Sequence, residues 1–164
     1  MKYFTPELYL RFNSNDRAVA RKANEDWETA IEEYHKHLAK IGPRLVPNVR
    51  KLANSLCLHD ADYLGLRHPR IRQLDHSIAV LASQKEATVF LLVYTLAEEP
   101  EVHDAKPHWR FSKKQVHWLY DEFDIDPHGN QHHEVLLSNG KIIKLRFRDV
   151  QLMTDKRGAD LDVA

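Results

Sequence analysis

Three groupings of histidine and carboxylate in this sequence have spacings that could support chemistry. The most concentrated is Leu58-His59-Asp60-Ala61-Asp62. On a helix His59 and Asp62 would share a face, and an imidazole fixed by a carboxylate can act as a general base or hold a metal. A metal centre needs at least three convergent ligands, which this stretch does not supply alone. The plainer reading is that these polar groups tie a helix end to a strand by hydrogen bonds. His59, Asp60 and Asp62 are the candidate catalytic residues.

The second grouping is Glu32-Glu33-Tyr34-His35-Lys36-His37, with Glu28 nearby and Glu33 and His37 paired on the other flank. Glu32 and His35 have the i, i+3 spacing that carboxylate-bridged di-iron bundles use. Such a bundle takes ligands from four helices and repeats the Glu-x-x-His motif, and neither requirement is met. Glu32 and His35 are the candidate metal residues, but the pattern favours a solvated flank with weak intrahelical pairs, and no metal or other cofactor is expected. The third grouping spans residues 124–134 and contains His128, His132 and His133. It lacks the Asp-x-Asp-x-Asp-Gly spacing of a calcium loop and reads as a polar hairpin loop, with His132 and His133 on opposite faces of a strand.

Cys57 is the only cysteine, so no intramolecular disulfide can form. Flanked by Leu56 and Leu58, it reads as a small buried hydrophobe in a reducing compartment. Only His59 could activate it locally. There is no P-loop, Gly-x-Gly-x-x-Gly, Gly-x-Ser-x-Gly or His-Glu-x-x-His motif. With five glycines in the chain, a phosphate cradle is hard to build.

The elements that must position these groups follow from composition and periodicity. At 164 residues and 43% hydrophobic content the chain suits one domain with a real core. Lys plus Arg and Asp plus Glu balance at 24 each, without the basic excess of a nucleic-acid binder. Eleven histidines would make the net charge positive on mild acidification. No signal-like or membrane-spanning apolar stretch is present, so the cytoplasm is the expected location.

Thr5-Pro6-Glu7 starts a short helix. Ala20, Ala23, Trp27, Ile31, Tyr34, Leu38 and Ile41 then form the apolar stripe of a long one over residues 16–41, stopped by Gly42-Pro43. A third helix is predicted over residues 47–59, and residues 63–67 suit a helix extension or a first strand. Strands are predicted over residues 77–83, 87–97 and 115–123, with a surface loop over residues 98–107 and a polar turn over residues 124–130. Asn139-Gly140 between apolar runs signals a type I′ hairpin. Beyond it Ile143, Leu145 and Phe147 face opposite Lys144, Arg146 and Arg148.

Met1-Lys2-Tyr3-Phe4-Thr5, Leu58-His59-Asp60-Ala61, Leu137-Ser138-Asn139-Gly140-Lys141 and Phe147-Arg148-Asp149-Val150 occur together in this order. The combination resembles small bacterial proteins grouped only as domains of unknown function. The resemblance implies helices leading through a Leu-His-Asp-Ala signature into an antiparallel sheet. It favours residues 63–67 as a strand and carries over no catalytic or binding residue.

The expected fold is α+β: two or three N-terminal helices packed on an antiparallel meander of five or six strands. Residues 1–59 would be mainly helical, 60–153 mainly sheet and 154–164 a flexible tail. The leading functional expectation is a non-enzymatic binding protein, immunity-like or regulatory, with another protein as partner and neither nucleic acid nor membrane. Trp109, Trp118 and Tyr120 are the candidate interface anchors. The alternatives are a hydrolase or metal-dependent enzyme centred on His59, Asp60 and Asp62, and a subunit of a larger assembly.

Overall fold

A computed structural model describes residues 1–67, 76–83, 88–104, 109, 111 and 115–155. Helices α1 (Pro6–Phe12), α2 (Arg17–Ile41) and α3 (Pro47–Ser55) come first, with a 3-10 turn at Gly42–Arg44. The strands β1 (Asp62–Arg67), β2 (His76–Ser83), β3 (Thr88–Leu96), β4 (Glu101–Asp104), β5 (Trp118–Ile125), β6 (Gln131–Leu137) and β7 (Lys141–Asp155) follow. The fold is α+β, with the helices at the N-terminus. Among the described residues no helix is long and apolar enough to cross a membrane.

The helix starts are those their capping chemistry dictates. Thr5 Oγ1 accepts from Leu8 N at 3.2 Å ahead of Pro6, and Asp16 Oδ1 accepts from Ala18 N at 2.8 Å. Helix α2 buries Ala23, Ala30, Tyr34, Leu38 and Ile41. Helix α3 ends four residues before the predicted limit, because the chain turns extended at Leu56. Strand-like alternation then buries Leu58 and leaves Cys57 exposed, which corrects the expectation of a buried thiol. Asp60 turns the chain into β1 with a φ of +63°, a left-handed conformation that aspartate tolerates better than most residues.

All strand pairs are antiparallel, in the order β1-β2-β3-β7-β6-β5, with β4 beside the start of β7. Two consecutive meanders, β1-β2-β3 and β5-β6-β7, are thus joined through the long strand β7. The sheet also curls back on itself. Asp60 N donates to Trp118 O at 2.9 Å, Trp118 N to Ala61 O at 2.9 Å and Tyr63 N to Val116 O at 2.7 Å, so the β1 edge meets the entry to β5 and neither is left open there.

Two local expectations change. Residues 101–104, predicted as surface loop, form β4: Val102 lies opposite Ile143, and pairing with β7 outweighs their charge and exposure. At the Asn139-Gly140 hairpin only Gly140 has a positive φ, +81°, and its N–H donates to Leu137 O at 2.9 Å. That is a three-residue loop closed by a left-handed glycine rather than a type I′ turn. The connection at residues 84–86, the end of the predicted loop at residues 105–107 and the tail from residue 156 lie outside the described residues.

The helices are fastened to the β5 side of the sheet by specific bonds. Phe123 N donates to the buried Tyr34 hydroxyl at 2.6 Å, and Val46 N donates to Gln131 Oε1 at 3.4 Å. The Glu122 carboxylate accepts from Lys2 N, Tyr3 N and Phe4 N at 2.6–2.8 Å, which holds the N-terminal segment along β5.

Candidate functional site

Between α2, the segment that follows α3 and strand β5 lies a groove of about 400 Å³. Phe4, Trp27, Ile31, Tyr34, Leu56 and Tyr120 give it an apolar lining, and His35, Cys57, His59 and Asp121 are its polar members. The stripe of α2 supplies one wall, because Trp27 and Ile31 lie at the stripe's edge and stay half-buried. Strand β5 supplies the other. Its register slips between Trp118 and Tyr120, so Trp118 and Leu119 are both buried while Tyr120 and Asp121 reach the groove.

The rings form one connected cluster. Trp27 and Tyr120 have centroids 4.3 Å apart, and Phe4 lies 5.1–5.8 Å from Trp27, Tyr34 and Tyr120. Such pairs add to the stabilisation that burial alone gives. Burial, with Tyr9 and Asp60 adding to it, pushes the Tyr120 hydroxyl up to about 12, and burial drives that of Tyr34 well above the ordinary range. Both phenols are neutral at physiological pH.

Among the described residues Asp121 is the one carboxylate that lines the groove, and it is held from behind. Its Oδ1 accepts from Trp118 Nε1 at 2.9 Å and its Oδ2 from His133 Nε2 at 3.0 Å. His133 is 1% exposed, stacks on Phe123 with centroids 3.9 Å apart, and contacts the Tyr94 hydroxyl through Nδ1 at 2.9 Å. The carboxylate must accept, so His133 Nε2 carries a proton, and the Tyr94 hydroxyl meets the ring's other nitrogen. Burial holds the Tyr94 phenol protonated. The chain Tyr94–His133–Asp121 therefore runs from the sheet interior to the groove and leaves the charge of Asp121 facing outward, 26% exposed.

The predicted site residues separate. His59 lines the groove, donates Nδ1–H to Leu119 O at 2.6 Å and stacks on Tyr120. Asp60 beside it is 75% exposed, 3.5 Å from His59 Nε2. Asp62 turns to the other side of the strand, bonded to Gln115 Nε2 at 2.8 Å and 3.0 Å from His117 Nδ1. Strand geometry causes this split, because the helix that would have aligned His59 with Asp62 ends at Ser55. Glu32 is exposed and lies 3.8 Å from Lys36, while His35 faces the groove. Among the described residues no group of three or more His, Cys, Asp or Glu is arranged to hold a metal.

Of the proposed anchors, Trp118 is 1% exposed and belongs to the core, where it offers nothing to a partner. Trp109 lies against the β6–β7 hairpin, its Nε1 donating to Ser138 O at 2.7 Å and its ring stacked on Tyr9. Tyr120 alone of the three lines the groove. Sequence reading missed Asp121, His133 and Glu122. His133 carried a signal: alternation traced back from Leu137 and Val135 puts His133 and Gln131 inside, and a histidine on the inner face demands a partner.

A second cleft of about 310 Å³ is lined by Glu98, Glu99, Glu101, His132, Glu134, Lys144 and Arg146. Many of its charges are matched internally. Arg146 pairs with Glu98 and Asp126, and Glu134 pairs with Lys144 and the Met1 ammonium. It is a charged seam that ties β6 and β7 to their neighbours. No family model matches this chain, and no curated protein and no solved structure matches it either.

Proposed function

We propose that this chain is a binding protein, and that its groove receives a side chain from a partner protein. The observation that carries this reading is the groove itself: rings packed on one another around about 400 Å³ of space, with the Asp121 carboxylate fixed in place by Trp118 and His133. Apolar concavities with a few oriented polar groups are the usual form of a recognition site, and aromatic anchors dominate interface energetics. A hydrolase centred on His59, Asp60 and Asp62 would need the three to converge, and Asp62 faces Gln115 and His117 instead. Asp60, the carboxylate beside His59, is 75% exposed and 3.5 Å from its Nε2, while the Nδ1 proton goes to a backbone carbonyl.

The test is selection of a displayed peptide library on the full chain, with Ala53→Trp as counter-target. Ala53 lines the groove from α3, and a Trp side chain there fills it. Enrichment of a shared motif that binds the wild type and not a folded Ala53→Trp protein supports the reading. Peptides that bind both proteins equally, or no enrichment at all, would overturn it.

A further inference from the structure

Resting on the reading of the groove as a binding site, we propose that the group it takes is an alkylated ammonium on an apolar stem: a methylated lysine side chain of the partner. Three observations converge on a cation of this kind. First, the described residues that line the groove include one carboxylate, Asp121, and no lysine or arginine. Second, Phe4, Trp27, Tyr34 and Tyr120 line the same space, the Phe4 centroid 5.1–5.8 Å from the other three and Trp27 4.3 Å from Tyr120, and ring faces turned to a cation attract it through their quadrupoles. Third, both oxygens of Asp121 already accept a strong hydrogen bond, from Trp118 Nε1 and His133 Nε2. The carboxylate therefore has charge to offer and only about half of its roughly four acceptor sites left. An unmodified ammonium would lose water from three N–H donors and find few acceptors to replace it. A methylated ammonium has little or nothing to replace, and its methyl groups suit the apolar lining of Ile31 and Leu56.

The experiment is calorimetric titration of the full chain with four probes: N-acetyl-trimethyl-lysine amide, its neutral tert-butyl analogue with carbon in place of nitrogen, N-acetyl-lysine amide, and tetramethylammonium. The trimethyl-lysine probe should bind about tenfold tighter than the neutral analogue and than unmodified lysine. Asp121→Asn and Tyr120→Leu should each remove most of that preference without affecting the neutral analogue. The comparison of charged and neutral probes on the wild-type protein stands even where a variant fails to fold. Equal binding of trimethyl-lysine and its neutral analogue would overturn the cation and leave the groove reading intact. Tighter binding of unmodified lysine would overturn the methylated class. Tetramethylammonium binding as tightly as the lysine probe would overturn the partner side chain in favour of a free small cation. Failure of all four probes while groove-selected peptides still bind would overturn this inference alone, and failure of the peptides as well would overturn both.

Discussion

Replacing Glu122 with Gln should loosen the N-terminal segment and, through it, one wall of the groove. Glu122 is 7% exposed. Its Oε1 accepts from Tyr3 N at 2.8 Å and Phe4 N at 2.6 Å, and its Oε2 accepts from Lys2 N at 2.7 Å. Glutamine keeps the first two bonds in neutral form and turns an amide NH₂ toward the N–H of Lys2. One charge-assisted bond is lost outright, which costs about 1.5–3 kcal/mol, and a donor is left facing a donor. For a domain of this size about 2 kcal/mol corresponds to a fall in melting temperature of roughly 4–8 °C. Guanidinium unfolding followed by far-ultraviolet circular dichroism measures the loss. Tryptophan emission reports the local change, because Trp27 lies 5.1 Å from the Phe4 ring. Because Phe4 lines the groove, affinity for a groove-binding peptide should fall with it. A Glu122→Gln protein within about 0.5 kcal/mol of wild type, the usual range for a surface substitution, would refute the reasoning.

Further outcomes follow from the same geometry. Asn130 in the first place, with Arg146 and the His128 amide, holds the Asp126 carboxyl far below its ordinary value of 3.8. A depressed folded-state pKa adds stability above the unfolded value and loses it on acidification. The deficit of Asp126→Asn relative to wild type should therefore be full at neutral pH and shrink below about pH 4, as denaturation at stepped pH would show. Gly140→Ala should destabilise by about 1–3 kcal/mol, because the new Cβ would stand 2.6 Å from the Trp109 ring at a φ of +81°. Adding Trp109→Ala should relieve the clash and leave only the backbone strain, a coupling that a double-mutant cycle measures. Of the six tyrosines, Tyr63 and Tyr120 are raised by burial to about 12, Tyr34 rises further, and burial lifts Tyr94 well above its ordinary value. Absorbance at alkaline pH should show these four ionising late or together with unfolding. Their raised values add stability below the unfolded pKa of about 10 that is lost as the pH climbs above it.

The helices were legible because their signals are local: Thr5-Pro6 and Asp16 cap, and the stripe from Ala23 to Ile41 keeps one period along most of the 25-residue helix. The strands were legible where alternation is clean, as at Ile143, Leu145 and Phe147. What the sequence hides is set by pairing. Nothing in Glu101–Asp104 announces a strand until β7 is beside it, and closure of the sheet depends on contacts between residues 60–63 and 116–118. The candidate site suffers most from this. His59 was visible by type, but a register slip in β5 brings Asp121 to the groove. Its partner His133 arrives from β6 and Phe4 from the other end of the chain. Tyr120 was read as an anchor for its chemistry and does line the groove, whereas Trp118, chosen on the same ground, is taken into the core by that slip.

The most direct test of the groove as the binding site is a proton–nitrogen correlation titration of the labelled chain with a peptide from the groove-directed selection. The account predicts saturable shifts at the Trp27 indole and at the amides of Leu58, His59 and residues 119–123. Amides around the charged cleft at Glu98, Glu101 and Lys144 should hold still. Shifts centred on that cleft or on the outer face of β1–β3, with the Trp27 indole unmoved at saturation, would contradict it.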